Sequence, residues 1–140
     1  MSVNKEGLLK ELNKDLELEY SAAIQYIQHA AVMTGAEYGD IIKELKIHAN
    51  EEIGHAVILS DQIAFLGGVP SVDVEKVYTD AKSKTMLEQD LEGEYTAIKR
   101  YKERVSQAEQ LQEYALSQQL RTILADEQEH AMDLESALGK

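Results

Sequence analysis

Apolar residues recur along this chain at helical spacing in four separate stripes. The first runs Leu8, Leu12, Leu16, Glu19, Ala23, Tyr26, Ala30 and Met33. Ser2 or Asn4 is placed to cap its start and Gly35 to stop it, which predicts a helix over about 4–34. The second, Ile41, Leu45, His48, Glu52, His55, Leu59, Gln62 and Leu66, predicts a helix over about 37–66, closed by Gly67-Gly68. Leu87, Leu91, Glu94, Ile98, Tyr101 and Val105 predict a third over about 83–108. Leu116, Leu120, Ile123, Glu127, His130, Leu134 and Ala137 predict a fourth over about 112–138. The only proline, Pro70, and the glycine pair fall in one interruption, whereas no Gly or Pro marks the boundary between the third and fourth helices.

Short connections make the first and last helix pairs antiparallel hairpins. The roughly 16 residues between the second and third helices can run back along the bundle, leaving those two helices parallel. The expected fold is all-α: one domain over 1–140, a four-helix bundle of two antiparallel hairpins joined by one long crossover.

The chain has 140 residues with 44% hydrophobic and 29% charged, which suits one compact folded domain. Without cysteine, thiolate metal sites, iron–sulfur clusters, disulfides and thiol nucleophiles are excluded, so any metal must be held by His and carboxylates. A formal charge of −12 without a basic stripe argues against nucleic acid and anionic membrane as partners. The opening residues lack the features of a signal peptide, and no apolar run is long enough to span a bilayer, so a cytoplasmic location is expected. Nothing resembles a phosphate-binding loop, a Ser/His/Asp arrangement or an aromatic nucleic-acid platform.

Acids are almost never fully buried without a partner, yet each stripe carries one near its middle: Glu19, Glu52, Glu94 and Glu127. His55 and His130 follow Glu52 and Glu127 by three residues, one helical turn along the same face. In both halves the upstream Glu precedes the Glu-x-x-His pair by 33 residues, so the halves repeat one design. Two Glu-x-x-His pairs alone are weak at this composition. Adding the two upstream acids at a matched offset brings chance to roughly one in a thousand. Two divalent metals a few ångströms apart need bridging carboxylates, terminal ligands and an open side. Glu52 and Glu127 can bridge, with Glu19 and His55 completing one metal and Glu94 and His130 the other. Four carboxylates balance two divalent ions, and an oxygen-rich set with one imidazole per metal fits Fe or Mn. A Glu from each of two helices plus Glu-x-x-His from the other two is the known pattern of di-iron helix bundles.

Through LELEYSAAIQYIQHA, NEEIGHAVILSDQIAFLGGVP, DLEGEY and ILADEQEHAMDLE the sequence resembles the bacterioferritin branch of the ferritin-like family over nearly its whole length. The resemblance implies that Glu19, Glu52, His55, Glu94, Glu127 and His130 are the six ligands of a ferroxidase-type di-iron centre. The di-iron domain of rubrerythrins is also similar. Those proteins, however, carry a further Glu one turn after the third-helix ligand, where this chain has Ala97, and usually a cysteine-ligated rubredoxin site, which a chain without cysteine cannot form. Bacterioferritins typically place a haem-ligating Met directly after the second-helix Glu. Ile53 stands there, so no haem is expected. The sequence stops at Lys140, where cage-forming relatives continue into a fifth helix, and a homodimer or small homo-oligomer is the corresponding expectation.

Tyr26 and Tyr101 each lie seven residues after Glu19 and Glu94, two turns along the same faces. They are either core-filling tyrosines or hydroxyls that hydrogen-bond a ligand carboxylate and supply an electron. Glu51 and Asp126, one residue before the bridging acids, are placed to reach the second nitrogen of a ligand His, although an exposed acid is the plainer reading for Glu51. His48 and His29 read as structural. Gly54 and Gly93 interrupt helices beside ligands, which points to close helix approach or to a path for oxidant. The expected function is a di-iron oxidoreductase of ferroxidase or peroxidase type that oxidises Fe(II) with O₂ or H₂O₂, with an external electron donor as a candidate partner. The alternatives are an iron-storage protein in an oligomeric shell and a di-iron oxygenase acting on an organic substrate.

Overall fold

The computed structural model describes residues 3–140, and those residues form four long helices: α1 (Lys5–Val32), α2 (Gly39–Phe65), α3 (Ser83–Gln110) and α4 (Tyr114–Ala137). Helix α1 starts where Asn4 accepts the Gly7 amide at 2.7 Å, so of the two candidate caps Asn4 is the one used; Ser2 lies outside the described residues. Gly35, at φ +119°, turns the chain into a single 3₁₀ turn (Ala36–Tyr38) that leads into α2.

Three helix ends share one device, in which the residue after the cap adopts a left-handed conformation and two amides reach back to the last carbonyls. At the end of α2, Gly67 (φ +91°) and Gly68 donate to Ala64 and Ile63. At the end of α4, Gly139 and Lys140 donate to Ser136 and Glu135. At the α3–α4 corner the left-handed residue is Gln112 (φ +59°); it and Glu113 donate to Glu109 and Ala108.

The crossover from Gly67 to Lys82 is tied along α1 by its own polar groups. Asn13 donates to the Val69 carbonyl at 3.1 Å, Tyr20 to that of Ser71 at 3.0 Å and Ser21 to that of Lys76 at 2.8 Å. The Tyr78 amide donates to Gln25 at 2.9 Å, and the Ser83 hydroxyl donates to the Thr34 carbonyl at 2.8 Å. These anchors advance from residue 13 to 34 of the first hairpin, roughly 30 Å at helical rise, so the crossover spans the bundle and sets α3 parallel to α2. Contacts between α1 and α3 run in opposite senses, Glu19 to Tyr101 and Tyr26 to Glu94, as antiparallel helices require.

The apolar core is divided in two. Leu8, Leu12, Leu16, Leu59, Leu120 and Ile123 fill one end of the bundle, and Met33, Ile41, Leu45, Leu87, Leu91 and Leu134 fill the other. Between these plugs lies a layer of polar side chains. The stripes hold at nearly every position; the exceptions are Gln62, Ile98 and Val105, which are only partly covered, and Ala137, which is exposed at the end of α4. No helix among the described residues is long and apolar enough to cross a membrane.

Candidate metal centre

Each helix contributes one acid to the middle layer, and all four are buried: Glu19, Glu52, Glu94 and Glu127. His55 and His130 lie beside them with Nδ1 turned inward. His55 Nδ1 is 3.5, 3.3 and 3.3 Å from carboxylate oxygens of Glu19, Glu52 and Glu127. His130 Nδ1 is 3.4, 3.0 and 3.4 Å from those of Glu52, Glu94 and Glu127. Two overlapping sets result, Glu19–Glu52–His55–Glu127 and Glu52–Glu94–Glu127–His130, each with its ligand atoms within 4.8 Å of one another and with Glu52 and Glu127 in both. The structure thus brings together all six residues singled out from the sequence.

The layer is not satisfied by itself. Both Glu52 carboxylate oxygens, Glu19 Oε2, Glu127 Oε1 and His55 Nδ1 are buried without a hydrogen-bond partner, although buried polar atoms are normally paired. Five orphaned ligand atoms converging on one volume are the donor set that a pair of cations needs. Burial pushes the Glu52 and Glu127 carboxyls well above the usual range, and the neighbouring carboxylates, Glu19 foremost, push the same way. Burial alone would lower both imidazoles, but the carboxylates around them override it. His55 is raised by Glu127, Glu19 and Glu52, and His130 is raised to about 9, chiefly by Glu94. The layer therefore favours the protonated forms of these groups.

The outward nitrogens have partners. His55 Nε2 lies 2.8 Å from Asp126 and His130 Nε2 lies 3.3 Å from Glu51, each reaching across between α2 and α4. Such a carboxylate fixes the tautomer that turns Nδ1 toward a metal. Tyr26 donates its hydroxyl to Glu94, and Tyr101 donates to Glu19 at 2.6 Å; burial beside these acids holds both phenols well above their ordinary value. His48 stacks on His130 with ring centroids 3.9 Å apart and places Nε2 3.1 Å from Asp133. His29 bridges Asp90 and the Tyr78 carbonyl, both at 2.9 Å, and is structural.

Sequence reasoning missed two buried polar clusters, one on each side of the carboxylate layer. Asp15 is buried between Arg104 (Nε to Oδ2 2.7 Å) and Arg100 (Nε to Oδ1 2.6 Å), and Asp90 is buried against His29 and Gln25. The signal was present: each aspartate stands four residues before the acid of its helix, and every pair in the centre recurs at an interval of 75 residues. Asp15 maps to Asp90, Glu19 to Glu94, Tyr26 to Tyr101, Glu52 to Glu127 and His55 to His130.

A cavity of about 570 Å³ opens between α1 and α3 beneath the crossover and reaches Glu19, Glu94 and Glu127. Gly93 lines it, and a Cβ there or at Gly54 would meet nothing within 4 Å, so neither glycine marks a close helix approach. Ile53 lies half-exposed on the α1/α2 face and offers no ligand atom.

Residues 9–140 match the ferritin-like domain family. Among similar proteins are a bacterioferritin of Brucella melitensis biotype 1, 33% identical over 94% of this chain and 82% of that protein, and a bacterial ferritin of Synechocystis, 32% identical over 96% and 88%. Among solved structures, a ferritin-like diiron-carboxylate protein from Bacillus anthracis superposes with a TM-score of 0.93 at 35% identity and 99% coverage of both chains. A dodecameric thioferritin, described as the bacterioferritin-related protein of Bacteroides fragilis, gives 0.91 at 32% identity, covering 99% of this chain and 88% of that one.

Proposed function

Since the chain belongs to the ferritin-like domain family, with bacterioferritins among its relatives, we propose that its six-residue centre takes up two iron ions and oxidises Fe(II). The observation that carries this reading is the pair of overlapping ligand sets with their orphaned buried atoms. Glu52 and Glu127, which belong to both sets, would serve both ions, with Glu19 and His55 holding one and Glu94 and His130 the other. An iron pair bound there supplies two electrons together, which suffice to reduce O₂ to H₂O₂ or H₂O₂ to two waters.

The chain's own groups do the rest. Asp126 and Glu51 hold the imidazoles in register, and the two tyrosine hydroxyls fix the terminal carboxylates. Hydrogen-bonded to Glu94 and Glu19, Tyr26 and Tyr101 are also placed to give up an electron and a proton. The cavity between α1 and α3 gives a small oxidant a route that ends on Glu19, Glu94 and Glu127. Ile53 provides no haem ligand, so this reading includes no haem. Manganese fits the same oxygen-rich set.

Iron storage is the second reading, favoured by the bacterioferritin relatives and by the dodecameric assembly described for the B. fragilis protein. That neighbour also favours a larger homo-oligomer over the dimer or small assembly expected from the sequence. Anaerobic Fe(II) titration of the metal-free protein, followed by O₂ or H₂O₂, separates the readings. Saturation at about two irons per chain with rapid oxidation supports the di-iron oxidoreductase. Continued uptake to many irons per chain supports storage. No uptake above background overturns both. The faster of the two oxidants identifies the reaction type.

A further inference from the structure

The interval of 75 residues pairs the polar residues of the centre almost without exception, and the exception is informative. His48, Glu44 and Asp133 have Ile123, Gln119 and Ile58 at the corresponding positions of the other half. One of two symmetry-related places between α2 and α4 therefore carries an imidazole and two carboxylates where the other carries aliphatic side chains and an amide. Ligand atoms of Glu44, His48 and Asp133 lie within 4.8 Å of one another, a third set distinct from the two that share Glu52 and Glu127.

His48 is the buried member of the set. It is 1% exposed, its Nε2 faces Asp133 at 3.1 Å, and its Nδ1 is buried without a partner. Glu44 and Asp133 are only partly covered, so the set opens toward solvent on one side. On the other side His48 stacks on His130 and brings a ring nitrogen within 4.8 Å of ligand atoms of both Glu94 and His130. A buried imidazole in place of a core isoleucine, shared between an open pair of acids and one end of the metal centre, is poor packing but a good intermediate ligand for a cation.

We propose that Glu44, His48 and Asp133 form a third divalent-cation position, and that ions pass through it on the way to or from the Glu94–His130 half of the centre. One imidazole and two carboxylates suit Fe(II), Mn(II) or Zn(II), with water completing the shell on the open side. Binding at this position stands on its own residues; the transit role rests on the two-iron reading.

The test uses Mn(II), which stays divalent in air, on the full-length protein and on Asp133→Asn, Glu44→Gln and Glu127→Ala. Equilibrium binding is read together with the Mn(II) electron paramagnetic resonance spectrum. The wild-type chain should bind about three ions, two as a coupled pair and one isolated. Asp133→Asn and Glu44→Gln, both at partly exposed positions, should weaken the isolated ion by about tenfold or more and keep the pair. Glu127→Ala should lose the pair and keep the isolated ion. Wild-type saturation at the pair alone, or an isolated ion indifferent to Asp133→Asn and Glu44→Gln, overturns the third position. An isolated ion that those two variants remove, in a wild-type chain that binds no pair, supports the third position while the two-iron reading fails. With Fe(II) at limiting concentration, Asp133→Asn should slow oxidation by roughly tenfold without lowering the final yield. An unchanged rate overturns the transit role.

Discussion

At the scale of single residues, the orientation of two imidazoles decides whether the centre holds metal. Nδ1 of His55 and His130 points into the carboxylate layer while Nε2 faces an acid outside it, Asp126 at 2.8 Å and Glu51 at 3.3 Å. The closer contact constrains its ring more. Asp126→Asn should therefore lower metal affinity by tens-fold, toward the upper end of the range of about 10 to 100 for such partners, and Glu51→Gln by less. Competition with a coloured chelator measures both; equal and negligible effects would show that the rings are held by packing alone. The six residues of the candidate centre were legible in the sequence because an acid in the middle of an apolar stripe, with a histidine one turn on in two of the four, has few innocent explanations. Asp15, Asp90 and Arg104 were not, because they sit at the stripe margins, where polar residues are ordinary, and only their partners on the facing helix show them to be buried. His48 read as a structural histidine since nothing local distinguishes it. Its significance comes from Asp133 on α4, 85 residues away.

At the scale of elements, the helices followed from periodicity and their ends from glycine, and the one blurred boundary has a definite cause. Gln112 takes the left-handed conformation (φ +59°) that Gly67 and Gly139 take elsewhere, so the α3–α4 corner carries no glycine to announce it, and it falls two residues beyond the expected place. A side chain in that conformation costs roughly 1 to 2 kcal/mol. Gln112→Gly should recover about 1 kcal/mol, since the backbone hydrogen bonds of the turn are kept. Gly54→Ala should add a similar amount, because its Cβ meets no atom within 4 Å and the residue lies inside a helix. Thermal melts of the metal-free chain should rise by a few degrees for each. A fall in either would mean that the corner or the α2 face is occupied in the assembled protein. The crossover was legible as a length but not as a path. Its course is fixed by scattered polar residues of α1, Asn13, Tyr20, Ser21 and Gln25, whose bonds go to backbone atoms more than 50 residues away.

For the whole molecule, the centre makes stability depend on what fills it. Folding without metal buries four carboxylates together, and the chain compensates by keeping protons: Glu52 and Glu127 are raised by burial and mutual repulsion, and His130 is raised from 6.5 to about 9 by its acid neighbours. All these shifts favour proton binding in the folded state, so these groups take stability away as pH rises, against the opposite contribution of His48, which burial lowers. The contribution of His130 is complete below about pH 6.5 and is lost as pH rises through about 9. The two glutamates are penalised increasingly above their ordinary value, which has the same sign. Metal reverses the balance, since its ligands must be deprotonated and an ion that binds only the folded chain adds about 4 kcal/mol at a thousandfold excess over its dissociation constant. The melting temperature of the chelated protein should therefore drop between pH 6.5 and 9, by the equivalent of roughly 1 to 3 kcal/mol, while that of the Mn(II)-loaded protein stays level or rises. The gap between the two curves should widen with pH, and unbuffered metal addition near neutrality should release protons. Parallel curves, or uptake without proton release, would mean that the buried acids are not the groups that metal displaces protons from, and the assignment of the centre would fall with them.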